Sequence, residues 1–258
     1  MAVSIKSARE IELMREAGKR LAHVHQELEA MIAPGISTWE IDAKGEKLIR
    51  DCGCIPNFLH YNGYPASICV SVNDEVVHGI PRKDRYLKEG DIVSLDAGLI
   101  YKGYHSDAAR THAVGKVSTE AQKLMDVTKQ SFFEGIKMAK EGQHLHDISR
   151  AIEEYVTPYG YGIVRDLVGH GIGTALHEDP QIPNYAQKRR GVRLQAGMTL
   201  RLQAGMTLAI EPMINAGTWQ VRFLRDGWTV VTKDGSLSAH YENTILVTDG
   251  EPEILTLY

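Results

Sequence analysis

Apolar residues recur at helical spacing through Ile11, Met14, Ala17, Leu21, Val24 and Leu28, directly after Ser7-Ala-Arg-Glu10. A Ser three residues ahead of a Glu, at the head of such a stripe, is a capping box. A helix is therefore expected from Ser7 that stops by Pro34-Gly35. Ser37-Thr-Trp-Glu40 opens a second, running to about Cys52. Short apolar runs at 68–72, 91–97 and 105–114, broken by Gly, Pro and Asn, then predict strands. The order repeats: helices over 119–140 and 145–155, followed by strand-like runs at 162–168, 206–212, 229–232 and 242–247. Two helices and then strands, twice over, predict an α+β fold built from two similar ααβ halves, about 1–117 and 118–258. No Pro/Gly/Ser-rich linker separates them, so a single domain with one shared sheet and one core is expected.

The halves also echo each other residue by residue. Leu87-Lys-Glu-Gly90-Asp-Ile-Val-Ser-Leu-Asp96 aligns with Leu202-Gln-Ala-Gly205-Met-Thr-Leu-Ala-Ile-Glu211. His105-Ser-Asp107, eight residues before Gly115, aligns with His240-Tyr-Glu242, eight residues before Gly250. A turn Gly followed by an apolar run ending in an acid describes a buried strand that carries a charge inward. Buried carboxylates are costly unless paired, protonated or bound to metal. For Asp96 or Asp107 taken alone, a chance burial or a solvated surface acid is the simpler reading. Four acids supplied symmetrically reverse that, and suggest a metal centre between the halves. Gly98 and Gly103 allow a tight hairpin that turns Asp96 and Asp107 toward one point.

A second repeat differs in kind. Residues 193–200, Arg-Leu-Gln-Ala-Gly-Met-Thr-Leu, recur identically as residues 201–208. Only the second copy is in register with Glu211, so it is expected to form the strand, with the first copy looped out at little cost.

Composition narrows the class. With 258 residues, 43% hydrophobic and 24% charged, the chain is an ordinary globular protein with a core that needs no staples. A net charge of −4 argues against a dedicated nucleic-acid or membrane-surface binder. The basic run Lys188-Arg189-Arg190 with Arg193 reads as a solvated loop; as a docking patch it would suit ribosomal RNA. Cys52, Cys54 and Cys69 are an odd number with no second pair to complete a zinc site, which points to reduced thiols and a cytoplasmic setting. Neither an apolar leader nor a stretch of eighteen apolar residues occurs, so export and membrane insertion are not expected.

Histidines fill out the candidate site. Gly169-His170-Gly171-Ile-Gly173 puts an imidazole where glycines allow close approach, and four convergent carboxylates make it a natural fifth donor. Neither a dinucleotide fingerprint nor a P-loop is present. His177-Glu-Asp-Pro180 is not a zincin motif, and on its own His177 would read as a surface residue; so would His78 in Val77-His-Gly-Ile-Pro81. His23, His25, His144 and His146 have no matching partner and read as structural or solvated. Four carboxylates and an imidazole suit two divalent ions about 3.5–4 Å apart with a water between them. Oxygen-rich ligation with one His fits Mn, Fe, Co or Zn. Hydrolysis of an amide or ester is the leading chemistry.

Taken together, these segments closely resemble the type I methionine aminopeptidases, metallopeptidases with a pita-bread fold. The resemblance rests on Tyr61-Asn-Gly-Tyr-Pro65, Val77-His-Gly-Ile-Pro81, Asp91-Ile-Val-Ser-Leu-Asp96, Gly169-His-Gly-Ile-Gly173 and His177-Glu-Asp-Pro180. It continues through Ile210-Glu-Pro-Met213, Asp226-Gly-Trp228 and Ser238-Ala-His-Tyr-Glu242. It implies a curved antiparallel sheet with helices on its outer face. Asp96, Asp107, His170, Glu211 and Glu242 would be the metal ligands, with Asp107 and Glu242 bridging. Glu211 would also shuttle the proton of the attacking water. His177 would stabilise the oxyanion, and His78 would contact the scissile amide nitrogen or its neighbouring backbone. An apolar pocket of Phe58, Tyr61, Tyr64, Cys69 and Trp228 would take the Met side chain. The family commonly carries an aromatic residue where Leu176 stands.

The implied substrates are peptides and nascent chains, at the ribosome included, with an N-terminal Met and a small second residue. A monomer is expected. Two rivals stand beside this reading: a prolidase or aminopeptidase P of the same fold, and an inactive pita-bread domain that binds protein or RNA.

Overall fold

The computed structural model describes residues 3–187 and 201–258. Helix α1 (Ala8–Glu29) opens on the expected capping box: Ser7 Oγ accepts from Glu10 N–H, and the Glu10 carboxylate accepts from Ser7 N–H at 2.7 Å. Ser37 and Glu40 repeat the device at the head of α2 (Thr38–Asp51). In the second half α3 (Thr119–Ile136) and α4 (Leu145–Val156) pack so closely that a Cβ on Gly135 would lie 2.7 Å from the Ile152 side chain.

The first half contributes strands β1 (Ile55–Pro56), β2 (Ile68–Val72), β3 (Glu75–Val77), β4 (Ile92–Tyr101) and β5 (Tyr104–Ala113). The second adds β6 (Gly162–Ile163), β7 (Gly169–Gly171), β8 (Glu178–Ile182), β9 (Thr207–Ile210) and β10 (Met213–Asn215). After these come β11 (Val221–Phe223), β12 (Val230–Thr232), β13 (Ser238–His240), β14 (Glu242–Leu246) and β15 (Glu253–Ile254). The expected strand over 162–168 is shorter, since only Gly162 and Ile163 pair, and β8 arises where none was expected. Nine strands form one antiparallel sheet in the order β1-β4-β5-β14-β9-β7-β8, with β2 on β4 and β15 on β14. The halves join where β5 meets β14. Lys102 and Gly103, both at positive φ, make the two-residue turn of the β4–β5 hairpin.

Register alone decides which residues share a face, because paired residues and every second residue point the same way. Asp96 lies opposite Ala109 and Asp107 opposite Gly98, so both aspartates project from one face. Glu242 also pairs with Ala109. His170 pairs with Ala209, which in turn faces Thr244. Glu211, two residues beyond Ala209, follows them. The opposite face carries Val93, Leu95, Leu99, Leu208, Ile210 and Ile245 toward the helices.

The sheet is shared, but the apolar interior is not the single core expected. Its two larger clusters lie under α1 and α2 and under α3 and α4, and two smaller ones lie apart from them, around Tyr64 and around Val230. Polar groups fill the seam between the larger two. Buried Arg110 donates to the carbonyls of Ala109, Glu242 and Thr256 and to the Asn243 side chain.

The echo between halves holds for its first part and shifts in its second. Gly90 and Gly205 both have φ +91°, and each donates at 3.0 Å, to Val114 O and Val247 O respectively. Val114 N–H returns a bond to Asp91 O and Val247 N–H to Met206 O, both at 2.9 Å. Val114 thus corresponds to Val247, and counting back along the strands matches Asp107 with His240. The expected match of Asp107 with Glu242 is displaced by two residues; Ala109 is the position equivalent to Glu242. The threonines agree. Thr244 Oγ1 accepts from Asp107 N–H and donates to Asp107 O, while Thr111 Oγ1 accepts from His240 N–H and donates to His240 O. Hydrogen bonds set this register, and a three-residue motif carries no information about them.

Of the tandem octapeptide, the second copy supplies Thr207 and Leu208 of β9, with Leu202 fully buried. The first copy lies outside the described residues, as does the Lys188-Arg189-Arg190 and Arg193 run.

Candidate metal centre

A cavity of about 280 Å³ opens on the carboxylate-bearing face. Its lining includes every residue singled out from the sequence: Asp96, Asp107, His170, Glu211, Glu242, His78, His177, Phe58, Tyr61, Tyr64, Cys69 and Trp228. Sequence reasoning missed Asn62, Val77, Leu167, Val168, Met213 and His240, which also line it.

The acids crowd together, and burial outweighs the cation acting on them, the Arg110 guanidinium on Glu242. One oxygen each of Asp96, Asp107 and Glu242 is buried with no hydrogen-bond partner among the described residues. Burial pushes Asp96 up to about 7, against a lowering hydrogen bond with Asp107. Burial, reinforced by neighbouring carboxylates, likewise raises Asp107, Glu211 and Glu242. Such a set cannot be fully ionised without cations to balance it. Asp107, His170 and Glu242 bring one donor atom each within 4.8 Å of one another; Asp96, His240 and Glu242 do the same. The two groups share Glu242. Oxygen-rich donors with imidazole, and orphaned buried oxygens facing inward, fit divalent cations.

His170 Nδ1 bonds the Gly171 carbonyl at 2.8 Å, which places its proton there and turns the Nε2 lone pair toward Glu211 Oε1, 3.6 Å away. Burial holds this imidazole neutral, its pKa lowered to about 3. The glycines of the motif are needed for packing: a Cβ on Gly169 or Gly171 would meet Ala209 O at 2.4 Å or Asp179 O at 2.3 Å. Glu211, just past β9, has its carbonyl bonded by Asn184 Nδ2 at 3.0 Å.

His177 lies over His170, with ring centroids 4.3 Å apart, and its Nδ1 is 2.8 Å from Tyr61 Oη. Only the Nε2 position is then free to donate into the cavity. His78 is held at φ +57°, edge-on to Trp228 at 6.2 Å, and burial lowers its pKa to about 4. Backbone strain of this kind in a non-glycine residue gathers at functional sites. One wall is apolar: Phe58, Tyr64, Cys69 and Leu176 pack together with Tyr61 and Trp228 at their edge. Cys69 stands directly opposite Asp96 in the β2–β4 pair, so the thiol shares the acid's face.

Acids and imidazoles gathered on one face of an antiparallel sheet, beside an enclosed apolar wall, define a metal-dependent hydrolase. The chain belongs to metallopeptidase family M24, which matches residues 12–249. It is 52% identical to a methionine aminopeptidase of Clostridium acetobutylicum over 99% of each chain. The crystal structure of methionine aminopeptidase from Thermotoga maritima superposes with a TM-score of 0.93 at 45% identity, covering 100% of both chains. The fold is the α+β pita-bread arrangement. Prolidase from Pyrococcus furiosus shares that fold (TM-score 0.76, 23% identity), with 98% of this chain matching 65% of that one. Divalent metal use comes with the family. Among the described residues no helix is long and apolar enough to cross a membrane.

Proposed function

We propose that the chain is a methionine aminopeptidase that removes the initiator Met from peptides and nascent chains whose second residue is small. The observation that carries this is the pair of three-donor groups sharing Glu242, set beside an apolar wall of Phe58, Tyr64, Cys69 and Trp228. Relatives named methionine aminopeptidase, matched over their whole length, support it.

Asp96, Asp107, His170, Glu211 and Glu242 would hold two divalent ions, of Co, Mn, Fe or Zn, Glu242 being common to both donor groups. Bound there, such ions polarise the scissile carbonyl and lower the pKa of water. The Glu211 carboxylate accepts the proton of the attacking water and passes it to the leaving amine. Tyr61 donates its hydroxyl proton to His177 Nδ1, so His177 Nε2–H points at the scissile oxygen and stabilises the developing oxyanion. His78 contacts the scissile amide nitrogen or its neighbouring backbone. A thiol and aromatic rings suit the polarisable thioether of Met. The enzyme acts as a cytoplasmic monomer, and both halves form one catalytic domain.

Hydrolysis of Met-Ala-Ser compared with an Ala-Pro peptide tests the substrate. Preferential release of Met is expected. Preferential cleavage of the Ala-Pro peptide would make the chain a prolidase-like enzyme, and full metal binding without turnover would make it an inactive relative.

A further inference from the structure

His240 is buried and lines the cavity beside the acids. Only 2% of it is exposed, and neither ring nitrogen makes a hydrogen bond. Its Nε2 faces Glu242 Oε2 at 3.7 Å. A second cavity, of about 390 Å³ and lined by Arg110, Lys129 and Tyr241, shares only His240 with the first. A buried imidazole with two idle nitrogens calls for a partner that no described residue supplies.

The relation between the halves says what that partner is. His240 occupies the strand position equivalent to Asp107, and Thr111 brackets its peptide as Thr244 brackets that of Asp107. The backbone thus presents His240 to the site from one half as it presents Asp107 from the other. The two donor groups differ accordingly at that position: Asp107 stands with His170 and Glu242 in one, and His240 with Asp96 and Glu242 in the other. His105, the residue that the sequence motif would pair with His240, is used differently, its Nδ1 held by Asn57 Oδ1.

We propose that His240 is a sixth protein donor at this centre: one ring nitrogen, with Asp96 and Glu242, completes the ligand set of the ion that His170 does not reach. The inference rests on the reading that the cavity holds two divalent ions. A nitrogen donor on each side shifts both positions toward Zn, Co and Fe and away from Mg and Ca. It also leaves the two ions with similar donor sets, each one imidazole plus carboxylates.

X-ray absorption of the chelator-stripped protein reloaded with two equivalents of Zn²⁺ tests it by counting imidazoles. Two per pair of ions are expected in the wild type and one in His240→Gln. Calorimetric titration of the variant with Zn²⁺ should show one of two binding steps weakened about tenfold or more. One imidazole in the wild type, or two in His240→Gln, overturns the inference while leaving the dinuclear reading intact. Failure to bind two ions overturns that reading instead. Should His240→Gln not fold, His78→Gln and His177→Gln assign the second imidazole. A count of two in both supports His240, and a drop to one in either overturns it.

Discussion

Thr244 Oγ1 brackets the peptide of Asp107, accepting from its N–H at 3.0 Å and donating to its carbonyl at 2.8 Å. One residue of the second half thereby fixes an acid of the first half at the cavity. Thr244→Val would leave both buried backbone groups unpaired, at a cost of about 2–4 kcal/mol. Chemical denaturation should show that loss, and metal titration should show affinity lowered about tenfold or more as Asp107 loosens. Thr111→Val, its counterpart beside His240, should destabilise by a similar amount.

Tyr61 Oη lies 2.8 Å from His177 Nδ1, a contact across 116 residues of chain that orients the ring. His177→Ala is expected to lower kcat about 10²- to 10³-fold by removing the oxyanion donor. Tyr61→Phe should lower kcat by less, with KM changed little, since the imidazole remains but loses its orientation. Steady-state kinetics on Met-Ala-Ser measures both.

Much of this site was legible in the sequence, for reasons particular to certain residues. Capping boxes at Ser7 and Ser37 are local, so they mark helix starts without any tertiary context. The match of Leu87–Asp96 with residues 202–211 succeeded because it spans a turn Gly and a whole strand, and Gly90 and Gly205 share one conformation. The match of His105-Ser-Asp107 with His240-Tyr-Glu242 failed because three residues cannot report which strand position they pair with. Contacts such as Tyr61 with His177 leave no periodic trace at all. Strand β8 was hidden by Pro180, which a strand at the end of a sheet tolerates.

The carboxylate cluster sets the sign of the pH dependence. A carboxyl raised in the folded state keeps a proton that the unfolded chain has released. The stabilisation this gives the metal-free fold is full below the unfolded pKa, near 4. It is lost as pH rises through the folded value, about 7 for Asp96. Bound cations reverse the trend, because protons compete with them for the same oxygens. The gap in Tm between metal-loaded and chelator-treated protein should therefore be wider at pH 8 than at pH 5. An equal or narrower gap would remove the carboxylates as the metal site.

The register of β9 is met by the second copy of the octapeptide. Removing residues 193–200 leaves one copy joined to Glu211 as before. The shortened protein should keep its metal affinity and its Met release to within about twofold, a difference of about 0.4 kcal/mol.

The most direct measurement is the rate of Met release from Met-Ala-Ser by chelator-stripped protein as a divalent ion is added back, with Glu211→Gln alongside. Activity should be absent without metal, rise with metal in the wild type, and stay about 10²- to 10⁴-fold lower in the variant. Release of Met by the metal-free protein, or equal rates in Glu211→Gln, would contradict a metal-dependent mechanism centred on these acids.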